Sequence, residues 1–136
     1  MSLQDKEIAR RIYLLLKIDA RTLFSRISSR SFEIVEIFAS KRTRDHLKDI
    51  FRNRYEETSV HELKNCSEEV IQALNEFYTE MDNLRWYLQY STDMPTAIEA
   101  HLLRVIHLLE LHLQNLESFI DKEIFPEDLP SDQNMS

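Results

Sequence analysis

The sequence predicts an all-α protein, arranged as an up-down antiparallel four-helix bundle with short loops and a disordered C-terminal tail. Three observations carry this. Glycine is absent from all 136 residues. Only three prolines occur, two of them (Pro126 and Pro130) in the last eleven residues. Apolar side chains recur three and four residues apart over long stretches, the period of a helix with one buried face. Glycine supplies the positive-φ positions of hairpin turns and phosphate-cradling loops, so P-loops, dinucleotide fingerprints and nucleophile elbows are all excluded. Residues 1–125 read as one domain, long enough to bury a core without staples. Residues 126–136 (PEDLPSDQNMS) read as a disordered polar tail.

The first helix is predicted from about Gln4 to Ile27, with Ile12, Leu16, Ala20, Leu23 and Ile27 on one face. The cluster Ser28-Ser29-Arg30-Ser31 is the expected break, because serine side chains compete for backbone hydrogen bonds and favour caps; no glycine or proline enforces it, so one long helix is the alternative. A second helix is predicted from Phe32 to Tyr55, its apolar face being Phe32, Val35, Ala39, Leu47 and Ile50. The third begins at Ser59-Val60-His61-Glu62, an S-x-x-E capping box. It continues as a seam of Leu63, Cys66, Val70, Leu74, Phe77, Met81, Leu84 and Leu88. The fourth follows Thr92-Asp93-Met94-Pro95 and buries Ile98, Leu102, Val105, Ile106, Leu109, Leu113, Leu116 and Ile120.

Two surfaces exceed what a lone bundle needs. Eight of the twelve residues from Leu102 to Leu113 are apolar, and Leu108 and Leu111 point away from the core face. On the third helix Trp86 and Tyr90 lie far from the seam and Tyr87 on its flank, a grouping typical of interface anchors. These five residues are the predicted interface, with a homodimer as the expected assembly. The alternative is that the Phe125–Leu129 stretch folds back over them.

The formal charge of −7 is unevenly placed. Residues 1–54 carry 13 Lys/Arg against 7 Asp/Glu, and residues 55–136 carry 4 against 17. Lys41, Arg44, Lys48 and Arg52 form a basic stripe on the predicted second helix, a candidate for an acidic partner or nucleic acid. Net acidity and the interrupting Asp45 and Asp49 argue against nucleic acid. No metal site or cofactor is expected: His101 and His112 share a face but stand eleven residues apart, about 16 Å along a helix. Cys66 is the only cysteine, so neither a disulfide framework nor a thiolate cluster can form. No apolar run reaches the roughly 18 residues of a membrane span, and no signal-peptide order appears. A soluble cytoplasmic protein is expected.

One short motif bears on chemistry. His61-Glu62-Leu63-Lys64, with Cys66-Ser67 after it, resembles the H-x-L-K core of histidine phosphotransfer domains over seven residues. That resemblance implies a phospho-accepting imidazole on His61, with Lys64 neutralising the phosphate, exposed in the middle of a bundle helix. Asn65 stands where that family has glycine, and the capping box puts His61 at the second residue of its helix. The reading carried forward is a capped helix start. The expected function is non-enzymatic: a helical protein-protein interaction module of adaptor, chaperone-like or regulatory kind.

Overall fold

The computed structural model describes residues 2–40 and 43–125, and within them the protein is all-α. Helix α1 spans Leu3–Ser29, opened by the Ser2 hydroxyl, which accepts the Asp5 N–H at 3.0 Å. It buries Ala9, Tyr13, Leu16, Ala20, Leu23, Phe24 and Ile27. The expected break falls at Arg30 alone, whose backbone leaves helical geometry (φ −108°, ψ 18°) before α2 resumes at Ser31–Ala39. Backbone bonds run straight across it, Arg30 N–H to Arg26 O and Ile34 N–H to Arg30 O. The apolar phase of α1 therefore continues, and Ile34, Ile37 and Phe38 are the buried residues of α2. Phe32, expected in the core, is 76% exposed, with Val35 half-buried and Ala39 exposed. The predicted face assumed a fresh start at Ser31, whereas the helix never loses register.

The predicted second helix stops at Ala39 rather than Tyr55. From Thr43 to Cys66 the chain forms a return limb of one-turn pieces: α3 (Leu47–Ile50), a 3-10 turn (Tyr55–Glu57) and α4 (Val60–Leu63). Short turns leave most backbone polar groups without helical partners, and side chains from the long helices supply several of them. Arg26 donates through Nη1 to the carbonyls of Ile50 (2.9 Å) and Arg52 (2.7 Å). Asp19 accepts the N–H groups of Arg54 (2.8 Å) and Tyr55 (3.3 Å), and the Tyr78 hydroxyl at 2.6 Å. Tyr55 stacks on Tyr78 with ring centroids 4.1 Å apart. Leu47, Ile50 and Phe51 anchor the limb in the core.

The capping box at Ser59 is present in both directions, but it caps only the single turn of α4. The long third helix, α5 (Glu68–Tyr90), starts at a second cap: Ser67 accepts the Val70 N–H, and Glu68 and Glu69 occupy the first turn, where acids suit the helix dipole. The Tyr13 hydroxyl accepts the Ser67 N–H at 2.7 Å and ties this end of α5 to α1. Val70, Leu74, Phe77, Met81, Leu84 and Leu88 form the expected seam, but its first two members precede α5: Leu63, half-buried, lies on α4, and Cys66 is buried at the end of the limb. After four residues α6 (Pro95–Ile124) turns back, with Pro95 in its first turn. Asp93 does not cap it; the carboxylate accepts the Tyr87 hydroxyl instead (2.7 Å).

Helix α6 packs against α5, α1 and α2, burying Ile98, Leu102, Val105, Leu109, Leu113, Leu116, Ile120 and Ile124. Ion pairs set its direction against α1: Lys17 to Asp121 at 2.7 Å and Arg21 to Glu117 at 2.6 Å place ascending residues of one beside descending residues of the other. The limb begins at the C-terminal end of α5, where Arg44 donates to the Leu88 and Gln89 carbonyls, and ends beside Tyr13. The chain thus runs up through α1 and α2, down the limb, up α5 and down α6. Among the described residues no helix is long and apolar enough to cross a membrane. The expected disordered tail at 126–136 lies outside them.

Candidate functional site

Helix α5 presents Trp86 and Tyr90 outward, one turn apart, 66% and 64% exposed, with ring centroids 5.2 Å apart. They border a shallow hollow of about 580 Å³ shared with Asp45, Lys48, Asp82 and Gln89. Tyr87 does not join them. Its ring lies tilted by 36° against His101 (centroids 3.9 Å) and its hydroxyl donates to Asp93, so it braces the α5–α6 corner. Burial and the nearby Arg104 charge hold His101 below the ordinary histidine range.

On α6, Leu108 and Leu111 face solvent as expected, 38% and 50% exposed, and Leu103 joins them at 53%. Ala100, Leu103, Arg104, His107 and Leu108 line an open depression of about 730 Å³ on this side of the helix. Leu103 was legible in the spacing Ala100–Leu103–His107–Leu111, which runs along the side opposite Leu102 and Leu109. Leu103 and Leu108 line one cleft, on α6, and the Trp86–Tyr90 pair lines another, shared by α5 and the limb.

The basic stripe does not form as expected, because its residues do not share one helix. Lys41 lies outside the described residues. Arg44 is half-buried: its guanidinium lies 4.4 Å from the Phe38 ring centroid and closes the carbonyl end of α5. Lys48 stands exposed on α3 and Arg52 on the loop beyond it. His61 is exposed, but it is the second residue of a one-turn helix that follows extended backbone at Thr58 and Ser59. The mid-helix setting that the H-x-L-K resemblance requires is therefore missing, as the capping box predicts. Among the described residues no group of three His, Cys, Asp or Glu side chains could hold a metal ion. Cys66 is buried, and desolvation with the nearby Glu123 charge pushes its thiol up to about 11.

Tyrosine supplies the clearest titration. Burial first, and then the hydrogen bond to Asp19, pushes Tyr78 far above the phenol range; burial also raises Tyr13 and Tyr55. The unfolded chain loses these protons near pH 10 while the folded one keeps them. Their contribution is therefore intact below about pH 10 and lost as pH rises past it. Stability measured in denaturant should fall above that point by about 1.4 kcal/mol per pH unit for each retained proton. Tyr78→Phe should make the decline shallower by about one proton, and an unchanged slope would contradict this assignment.

Comparisons with protein-family models, curated proteins and solved structures find no match to this chain.

Proposed function

We propose that this helical bundle is a non-enzymatic protein-protein interaction module, an adaptor, chaperone-like or regulatory protein of the cytoplasm, and that it associates with itself as a homodimer. The observation that carries the reading is the leucine face of α6. Leu103, Leu108 and Leu111 stand in solvent on a helix whose other side already fills the core. A helix apolar on both sides fits a second packing partner, and contiguous exposed apolar patches on soluble proteins mark interaction sites. A second copy is the simplest occupant, since a two-fold interface needs only one self-complementary patch. The Trp86–Tyr90 pair offers a further anchor on α5, aromatic residues being enriched where binding energy concentrates. The lone buried thiol of Cys66 accords with a reducing compartment.

Sedimentation velocity across a concentration series tests the reading. The wild-type chain should sediment as a dimer at high concentration. Leu111→Glu should shift the equilibrium toward monomer by about tenfold or more, because a buried unpaired carboxylate is costly at an apolar interface. Trp86→Ala should weaken association less. A strictly monomeric wild-type protein at high concentration would refute self-association.

A further inference from the structure

Three arginines without a carboxylate partner among the described residues converge between α1 and the limb. Arg11, Arg21, Arg85 and Lys17 each reach a carboxylate. Among the described residues Arg26, Arg52 and Arg54 come within 4.0 Å of none. Arg26 uses Nη1 on two limb carbonyls and leaves the rest of its fork unused, while the Arg52 and Arg54 guanidinium groups make no hydrogen bond there. All three line a single cleft of about 500 Å³ between α1 and the limb, with Leu15 and Ile18 as its apolar wall. Two acids border it. Asp19 is engaged by Tyr78 and two backbone N–H groups, and Glu57 forms no ion pair with the arginines. Burial, then the charges of Arg52 and Arg30, lower the pKa of Arg26, with Asp19 pulling the other way. The cleft thus sets three guanidinium groups, with two acids at its border, beside exposed apolar surface, Leu15 being 55% and Ile18 59% exposed.

The groove extends further. A smaller cleft, of about 90 Å³, shares Leu15, Asp19 and Arg54 with the first and continues to Ile12, Tyr55 and a third acid, Glu62, whose carboxylate accepts the Ser59 N–H. From Arg26 to Ile12 is fourteen residues of α1, about 21 Å, a length that suits a short peptide segment better than a small ion. Apolar walls beside unpaired guanidinium groups select a ligand that is both anionic and greasy, and Arg forks match carboxylates in pairs.

We propose that this groove takes an acidic amphipathic peptide segment of a partner protein, its carboxylates meeting Arg26, Arg52 and Arg54 and its apolar side chains lying on Leu15 and Ile18. This rests on the reading of the bundle as a protein-binding module but uses a different face from the α6 leucines. Nucleic acid fits less well, because its backbone has no use for the apolar wall of Leu15 and Ile18.

Fluorescence anisotropy on the full chain, with a labelled peptide alternating Glu and Leu as probe, tests the proposal. At about 0.15 M salt the probe should bind saturably. Arg52→Glu/Arg54→Glu should weaken it by about tenfold or more, and Ile18→Ser by about threefold, with helical circular dichroism unchanged in both. Leu111→Glu should bind the probe as wild type does, so a failure of self-association leaves this titration readable on the monomer. Three outcomes would overturn the proposal. These are no saturable binding, a probe affinity indifferent to the double arginine variant, or displacement by heparin together with indifference to Ile18→Ser, which would mark a polyanion site.

Discussion

Phe77→Ala should lower stability by about 3–5 kcal/mol, which for a chain of this size is a drop of about 10–15 °C in Tm. Phe77 has no solvent exposure and lies mid-way along α5, its ring edge-on to Tyr78 with centroids 5.0 Å apart. Removing it deletes a large apolar surface and also leaves a void, since the close-packed core around it relaxes only partly. Domains of this kind are held by about 5–15 kcal/mol in total, so the variant should sit near the edge of folding at 37 °C. Denaturant unfolding followed by far-ultraviolet circular dichroism measures it directly. A loss below about 1 kcal/mol would mean that Phe77 is not in a close-packed core.

Asp19→Ala should cost about 2–4 kcal/mol, although Asp19 itself is only partly buried. The carboxylate accepts three donors from two different parts of the chain. Truncation leaves the hydroxyl of the buried Tyr78 unpartnered, together with the N–H groups of Arg54 and Tyr55. An unmade bond to a buried donor costs more than a made one contributes. Asp19→Asn keeps one accepting oxygen and should lose less. Hydrogen exchange separates this from a general effect: the Arg54–Thr58 amides should lose protection before those of α5 and α6. A variant within about 0.5 kcal/mol of wild type would show that the limb is held by its apolar anchors alone.

These two residues also show how far the sequence could be read. Phe77 belongs to a repeat of three- and four-residue spacings, which specifies a buried helical face with no knowledge of the partner. The α5 and α6 seams were legible for that reason, as were the outward settings of Trp86, Tyr90, Leu108 and Leu111. Asp19 carried no such signal. Its bonds join residues 35, 36 and 59 positions away, and no local pattern announces a side chain that replaces helical hydrogen bonds elsewhere. The same holds for Arg26 and Arg44. Leu47, Ile50 and Phe51 keep helical spacing, and neither glycine nor proline interrupts residues 43–66, so the limb reads locally like the helix that was expected. Tertiary bonding overrides propensity there. The basic stripe scattered for the same cause: its phase assumed a helix that Arg26 and Asp19 hold in another path. Tyr87 looked like an anchor by type and spacing, and only the fold shows that Asp93 and His101 occupy it.

The position of Trp86 has a practical consequence. It is the chain's only tryptophan, and it already faces water in the folded protein. In the monomer its emission should barely shift when the bundle melts, so a fluorimeter would report an unfolded monomer as native. Anything that settles on the outer side of α5 should move that emission to the blue. The indole is thus a poor thermometer for this protein and a selective reporter of occupancy.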